Sequence, residues 1–337
     1  MTIAPSPHAL RIAVIGGGEN CEHEISLASA DSVAAALSGI GHEVVPLTID
    51  PHGGWLDGDG TPIGLAAAVD VLCGCDVVVP VVHGPRGEDG TLAALCDLAG
   101  VAFVGSGIRP GALAMDKWAT KLVAQALGIT TAASVVLTTS TASTYRFRGP
   151  VVVKPIAAGS SHGVRLVDSE AELAPALAAA FAFDDRVLVE EVQHGREIDV
   201  AVLGMNDGGR HVSPLLEIVA DGLFDHDAKY GGHADFRVPA EVSLSERNAL
   251  VAAALAMYDA LGCAGVARID FFLTESGPVL NEVNTMPGFT AHSQVPQMFA
   301  ADGLTYTALL DTLVQDAAAA GARRPTTAVS EGRVPSR

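Results

Sequence analysis

The run Val266-Ala-Arg268-Ile-Asp270-Phe-Phe-Leu273, the turn Thr274-Glu-Ser-Gly277 and the return run Pro278-Val-Leu-Asn-Glu282-Val-Asn284 are followed by Thr285-Met286-Pro287-Gly288. Two β-rich runs around a short Gly-containing turn predict a hairpin. Side chains alternate along a strand, so Arg268 and Asp270 share a face, as do Glu282 and Asn284. A hairpin symmetric about Ser276 sets Asp270 opposite Glu282 and Arg268 opposite Asn284. Carboxylates that face each other across a ladder repel unless a cation lies between them. Two carboxylates and an amide oxygen are hard ligands that suit Mg²⁺, which keeps its other positions for water and phosphate. The competing reading is a solvated outer face on which Arg268 merely neutralises Asp270. A register slip of one residue is enough to produce it. Pro287-Gly288 is expected to make a tight turn whose Gly288 N–H can approach a ligand closely.

Working outward, Val151-Val-Val-Lys154-Pro155 predicts a buried strand that ends in a lysine. Such a lysine is costly to desolvate unless an anion pairs with it. Gly159-Ser160-Ser161-His162-Gly163 follows, and its N–H groups and hydroxyls suit phosphate oxygens. Alone, such a loop is more often a plain hairpin turn. Beside Lys154, Lys117 and the acidic hairpin, it makes a Mg-nucleotide site. The chain has no Gly-x-x-x-x-Gly-Lys-Ser/Thr, which excludes a P-loop, and Gly16-Gly17-Gly18 lacks dinucleotide-binding spacing.

Toward the N-terminus, strand-like runs (Arg11 to Ile15, Val44 to Leu47, Val77 to Val82) alternate with a helix over about 23–39, which is a parallel α/β pattern. Ligands bind in such sheets at the strand C-termini, which here carry the polar loops Glu19 to Glu24 and His83 to Asp89. One helix is predicted from Arg109 to Leu127. Strands follow at Val164 to Val167 and Val187 to Glu190, with a helix from Glu170 to Phe181 between them. Longer strands come next (Glu197 to Gly204, Val212 to Val219), then helices over about 243–261 and 303–319.

With 39 acidic against 20 basic residues, the net charge of −19 argues against nucleic acid or an anionic membrane as partner. Anions must then be held by a few locally placed cations and N–H groups. Charged residues make up 18% and hydrophobic ones 49%, as in a compact soluble chain. The five cysteines, with no zinc-type spacing, read as small buried thiols of a reducing compartment. Neither a signal pattern nor a run of ~18 apolar residues is present, so a cytoplasmic location is expected.

These same residues resemble the D-alanine–D-alanine ligase family of the ATP-grasp superfamily over nearly the whole chain. Gly17-Gly18-x-x-x-Glu22-His-Glu-Ile-Ser26, His83-Gly-x-x-Gly-Glu88-Asp-Gly90 and Gly105-Ser-Gly107 resemble its first-domain signatures. Ala114-Met-Asp-Lys117, Val153-Lys154-Pro155 and Gly159-Ser160-Ser161 resemble the central domain. Ala228-Lys229-Tyr230, Arg268-Ile-Asp270 and Glu282-Val-Asn284-Thr-Met-Pro-Gly288 resemble the last. The expected architecture is a three-domain α/β ATP-grasp fold. An N-terminal parallel domain spans 1–108, a central subdomain 109–191 and a C-terminal domain 192–321, with a disordered tail at 322–337.

The resemblance implies transfer of the ATP γ-phosphoryl group to the carboxylate of one D-alanine, then attack by the amine of a second on the acyl phosphate. Two Mg²⁺ ions (or Mn²⁺) would be held by Asp270, Glu282 and Asn284, with Lys117, Lys154, Lys229 and Ser161 on the phosphates. Glu190 and Glu197 would lie near adenine and ribose. Arg268 and the Gly288 N–H would stabilise the tetrahedral oxyanion. Glu22 would pair with the first ammonium, His83 would sit beside that substrate, and Ser293 would bind the second carboxylate. Ser160, Tyr230 and Glu22 would latch a lid, Glu88 would be framework, and the protein would act as a homodimer. Duller roles remain open for His83 (satisfied by backbone), Tyr230 (loop cover) and Glu22 (helix-dipole complement).

Several positions depart from the family pattern. Asn20 stands where a serine is usual, His162 where a small apolar residue is usual, and Gln193 at an apolar adenine-edge position. Gln294 follows Ser293 where Leu or Met usually lines the second-substrate pocket, so a larger or hydroxylated acceptor such as D-serine is an alternative. Lys229-Tyr230 resembles dipeptide-forming rather than depsipeptide-forming members. A nucleotide-binding regulator without catalysis is a further alternative, set against the presence of Arg268 and the metal carboxylates.

Overall fold

The computed structural model describes residues 9–219 and 235–322; Lys229, Tyr230 and the expected tail from 323 lie outside them. Five strands form the first sheet: β1 (Arg11–Gly17), β2 (Glu43–Ile49), β3 (Trp55–Leu56), β4 (Val77–Pro80) and β5 (Ala102–Phe103), in the order β3-β2-β1-β4-β5. All pairings are parallel except that of the short edge strand β3, which the sequence reading did not foresee. Helices α1 (His23–Gly39), α2 (Gly64–Cys73) and α3 (Thr91–Ala99) connect the strands. The buried face of α1 carries Ser26 and Ser29 along with Val33 and Leu37. Those two hydroxyls are spent on the loop after β4: Ser26 Oγ donates to Val81 O at 2.6 Å, and Ser29 Oγ meets His83 Nε2 at 3.0 Å.

The predicted single helix over 109–127 is instead two, α4 (Ile108–Met115) and α5 (Lys117–Ala126). Asp116 breaks it: its backbone is extended (φ −82°, ψ 97°) and its carboxylate accepts the Ala119 N–H, which caps α5. The break sets Lys117 at the first position of a new helix. A four-stranded antiparallel sheet follows, from β6 (Ser134–Thr138), β7 (Val151–Pro155), β8 (Arg165–Val167) and β9 (Arg186–Glu191), in the order β6-β9-β7-β8. Helix α6 (Glu170–Phe181) buries Ala176, Leu177 and Ala180 against it.

The last sheet comprises β10 (Arg196–Gly204), β11 (Arg210–Val212), β12 (Leu216–Val219), β13 (Asp235–Arg237), β14 (Gly265–Thr274) and β15 (Gly277–Asn284). Its order is β13-β12-β10-β14-β15, with β11 also on β10. The single strand expected over 212–219 is interrupted around Pro214, which has no N–H to donate to the ladder. Helix α7 (Leu244–Leu261) covers the back of β10 and β14 with Leu250, Ala254, Met257 and Leu261. After α8 (Gln294–Ala300), helix α9 (Tyr306–Ala322) returns to the first sheet, where Leu309, Leu310 and Val314 share one core with Ile12, Val14 and Leu37. Three cysteines (75, 96 and 263) are buried as expected; Cys21 and Cys73 are exposed. Among the described residues, no helix is long and apolar enough to cross a membrane.

Candidate active site

The hairpin of β14 and β15 pairs Asp270 with Glu282 and Arg268 with Asn284, but not through the expected symmetry. Thr274 pairs with Gly277 and Leu273 with Pro278, so the loop is one residue tighter. A bulge beside Asp270 then takes up Asn281 as an extra residue and restores the pairing. The Asn281 amide oxygen accepts from Lys154 Nζ at 3.3 Å. The charged face is not a solvated one, since Asp270 is 8% exposed. Arg268 forks onto Asp270, with Nε–Oδ1 and Nη2–Oδ2 both at 2.8 Å, and Asn284 Nδ2 donates to Asp270 Oδ2 at 3.0 Å. Burial opposes the Arg268 charge, but Asp270 and Asp199 outweigh it and hold the guanidinium firmly protonated.

A cleft of about 460 Å³ lies between the two antiparallel sheets, a size suited to a nucleotide. Lys117, Lys154, Ser160, Ser161, Glu190, Glu197, Arg268, Asp270 and Glu282 all line it. Lys117 Nζ donates to Ala158 O at 2.8 Å and pairs with Glu282 at 3.3 Å. Lys154 pairs with Glu190 at 2.6 Å, and Lys121, a residue passed over in the sequence, pairs with the other oxygen of Glu190 at 2.7 Å. Burial pushes the Glu190 carboxyl up, but the two lysines more than offset it, so its pKa lies below the ordinary value. Asp270 and Glu282, directly paired across the hairpin, and Asn284, two residues along β15 from Glu282, offer oxygens that fit a hard divalent cation. Among the described residues, no group of three or more His, Cys, Asp or Glu is arranged to hold a metal. A cation here would take its remaining ligands from water and phosphate.

At one end of the cleft the first-domain loop meets the glycine–serine loop. Ser160 Oγ donates to Glu22 Oε1, while Glu22 Oε2 is buried with no hydrogen-bond partner among the described residues. A Cβ at Gly159 would run into the Glu22 carboxylate, so a side chain there would push that carboxylate from its place. Ser160 and Ser161 adopt left-handed φ values of 48° and 58°, a strained pair of non-glycine residues of the kind found at functional sites. Asn20 ties the loop together: its Nδ2 donates to His83 O and Pro85 O, and its Oδ1 accepts the Glu22 N–H.

His83 is 3% exposed, with Nδ1 against Met286 O and Nε2 against Ser29 Oγ, both at 3.0 Å. The carbonyl can only accept, so Nδ1 carries the proton. Burial holds the pKa of His83 below its ordinary value, leaving the ring neutral. Glu88 accepts the Gly84 and Met286 N–H groups; burial and then the Glu22 charge push its pKa up to about 8.

Pro287-Gly288 does not make the expected tight turn; both residues lie in an irregular segment, and Gly288 has no left-handed φ. Ser293 stands at the N-cap position of α8, but its hydroxyl accepts the Thr290 N–H at 3.0 Å rather than a helix N–H. Gln294 bridges inward: Oε1 accepts from Arg268 Nη1 at 2.6 Å and Nε2 donates to Asp199 Oδ2 at 2.9 Å. Asp199 was missed in the sequence, although it shares a strand face with Glu197 two residues before it.

The D-ala D-ala ligase N-terminus family matches residues 11–68 and 64–106, and the D-ala D-ala ligase C-terminus family matches residues 123–315. A D-alanine–D-alanine ligase of Mycolicibacterium vanbaalenii is 40% identical over 93% of this chain and 98% of its own. The chain belongs to the D-alanine–D-alanine ligase family. One from Nocardia farcinica is likewise 40% identical, over 93% of this chain and 98% of its own. Among solved structures, the VanG D-Ala:D-Ser ligase of Enterococcus faecalis superposes with a TM-score of 0.79 at 33% identity, covering 91% of this chain and 99% of that one. The Bacillus anthracis D-alanine–D-alanine ligase complexed with ATP gives 0.76 at 27% identity, over 93% and 99%. The fold is the ATP-grasp fold of this ligase family, and the chain is an ATP-dependent ligase.

Proposed function

We propose that the protein joins two D-alanines into D-alanyl-D-alanine for peptidoglycan precursors, with ATP driving the reaction through an acyl phosphate. The observation that carries this reading is the buried oxygen of Glu22, without a hydrogen-bond partner among the described residues, where Ser160 joins Glu22 to a cleft lined by Lys117, Lys154 and Arg268. An anionic pocket there suits a substrate ammonium, and the cations beyond it suit a triphosphate.

In this reading Glu22 takes the ammonium of the first D-alanine, with neutral His83 packed beside it. Lys117, Lys154, Ser161 and Lys229 contact the phosphates, and Glu190 and Glu197 lie toward adenine and ribose. Mg²⁺, held by Asp270, Glu282 and Asn284, would neutralise phosphate charge and align the γ-phosphoryl group for in-line transfer. The first carboxylate oxygen attacks the γ-phosphorus and ADP leaves. The amine of the second D-alanine, oriented by Ser293 at its carboxylate, attacks the acyl carbon, and inorganic phosphate leaves. Arg268 and the Gly288 N–H stabilise the oxyanion formed in between. The Glu22–Ser160 contact, joined by Tyr230, closes the loop over the acyl phosphate and excludes water. The proposal extends to domains at 1–108, 109–191 and 192–321 and to a cytoplasmic homodimer.

Phosphate release with D-alanine as sole amino acid is the test; no turnover there sinks the reading. A D-serine acceptor is the second reading, favoured by the likeness to the D-Ala:D-Ser ligase. Faster release with D-alanine plus D-serine than with D-alanine alone would favour it.

A further inference from the structure

We propose that Gln294 and Asp199 form a positioning clamp that fixes the guanidinium of Arg268, so that Gln294 serves Arg268 rather than lining an acceptor pocket. The inference rests on the reading above, in which Arg268 acts on the reacting group. Asp199 lies directly across from Asp270 in the pairing of β10 with β14, and Ala201, opposite Arg268, leaves room for the guanidinium. Asp199 is 1% exposed. Arg268 gives Nε and Nη2 to Asp270, and its Nε also lies 3.4 Å from Asp199 Oδ2. That leaves Nη1 to be held by a group outside the hairpin. Gln294 supplies it from the first residue of α8, directly after Ser293 at the N-cap position.

The chemistry of the site calls for an amide here. Oε1 accepts from a cation while Nε2 donates to a carboxylate, and an amide does both from two separate atoms, as an apolar or carboxylate side chain cannot. A Leu or Met at this position would remove the acceptor that holds Nη1 and the tie between Arg268 and Asp199. A Glu would set a third carboxylate against Asp199. With Oε1 turned to Arg268 and Nε2 to Asp199, Gln294 is oriented by these two partners and keeps at most one lone pair and one N–H for any further group. Acceptor choice then falls mainly to other residues.

The test is a charge-conserving swap. Gln294→Met should lower kcat tenfold to a hundredfold with little change in KM for ATP, as expected when a reacting group loses its aim by about 1 Å. Gln294→Glu and Asp199→Asn should each be impaired. The double variant Asp199→Asn/Gln294→Glu rebuilds a donor at 199 and an acceptor at 294 with the same total charge, and should recover most of the loss. A kcat of Gln294→Met within threefold of wild type overturns the clamp. So does a double variant no better than the worse single one, since that pattern belongs to packing alone. The Arg268 Nε–H signal in ¹⁵N spectra, assigned by its loss in Arg268→Lys, should be sharp in wild type and exchange-broadened in Gln294→Met. An unchanged signal overturns the clamp whichever acceptor the enzyme uses. Wild type without turnover on D-alanine counts against the functional reading alone.

Discussion

Lys121→Met is the sharpest probe of how the cleft is held together. Lys121 is 1% exposed, donates to Ala132 O at 2.9 Å and pairs with Glu190 at 2.7 Å. Breaking a buried ion pair by removing one partner costs about 3–5 kcal/mol. Lys154 still holds the other Glu190 oxygen at 2.6 Å, which puts the expected loss near the lower bound, about 3 kcal/mol. At roughly 2–4 °C per kcal/mol for a domain of this size, the melting temperature should fall by about 6–12 °C. The loss should also depend on pH. The Glu190 pKa lies below the ordinary value, so its stabilisation is present above the unfolded-state pKa and lost as pH falls through the folded-state one. Wild type and variant should therefore differ most near neutrality and converge in acid. Calorimetric melts at several pH values read both effects. A shift under about 2 °C at pH 7 would refute the idea that the pair carries stability. A double cycle with Glu190→Gln isolates the pairwise contribution.

Glu282→Gln should cost at least tenfold to a hundredfold in activity and move the Mg²⁺ titration to higher concentration; a loss under tenfold would sink its assignment as a ligand. Ser160→Ala, which removes the contact to Glu22, should raise KM for the first D-alanine and increase futile ATP hydrolysis, seen as phosphate released without dipeptide. The pKa of His83 is depressed, so below its ordinary pKa of about 6.5 the unfolded chain binds a proton that the folded one does not. Stability should accordingly fall as pH drops below that value, and His83→Gln should flatten that limb in denaturant melts.

Much of this site could be read from the sequence because its residues sit on regular elements whose periodicity aims them. Strand alternation alone placed Arg268 beside Asp270 and Glu282 beside Asn284. The buried strand ending in Lys154 and the helix Glu170 to Phe181 followed from local pattern in the same way. The reading failed where one polar side chain overrode a local tendency. Asp116 cut a long helix in two by capping Ala119, and a bulge at Asn281 shifted the hairpin turn. Lys121 looked like one more helical lysine, because its carboxylate partner lies 69 residues on in strand β9. Asp199, two residues past Glu197 on the same face, carried a signal that went unused.

By itself the sequence determined which groups could bear charge on the hairpin and in which direction they would point, since a strand's period of two is a local property. Tertiary structure decided what those charges do. It set Asp199 against Asp270, brought the first turn of α8 to the last nitrogen of Arg268, and buried one Glu22 oxygen with no hydrogen-bond partner among the described residues. Each of these depends on segments tens to hundreds of residues apart. Burial and pairing are set by the packing of whole sheets, which no local pattern encodes.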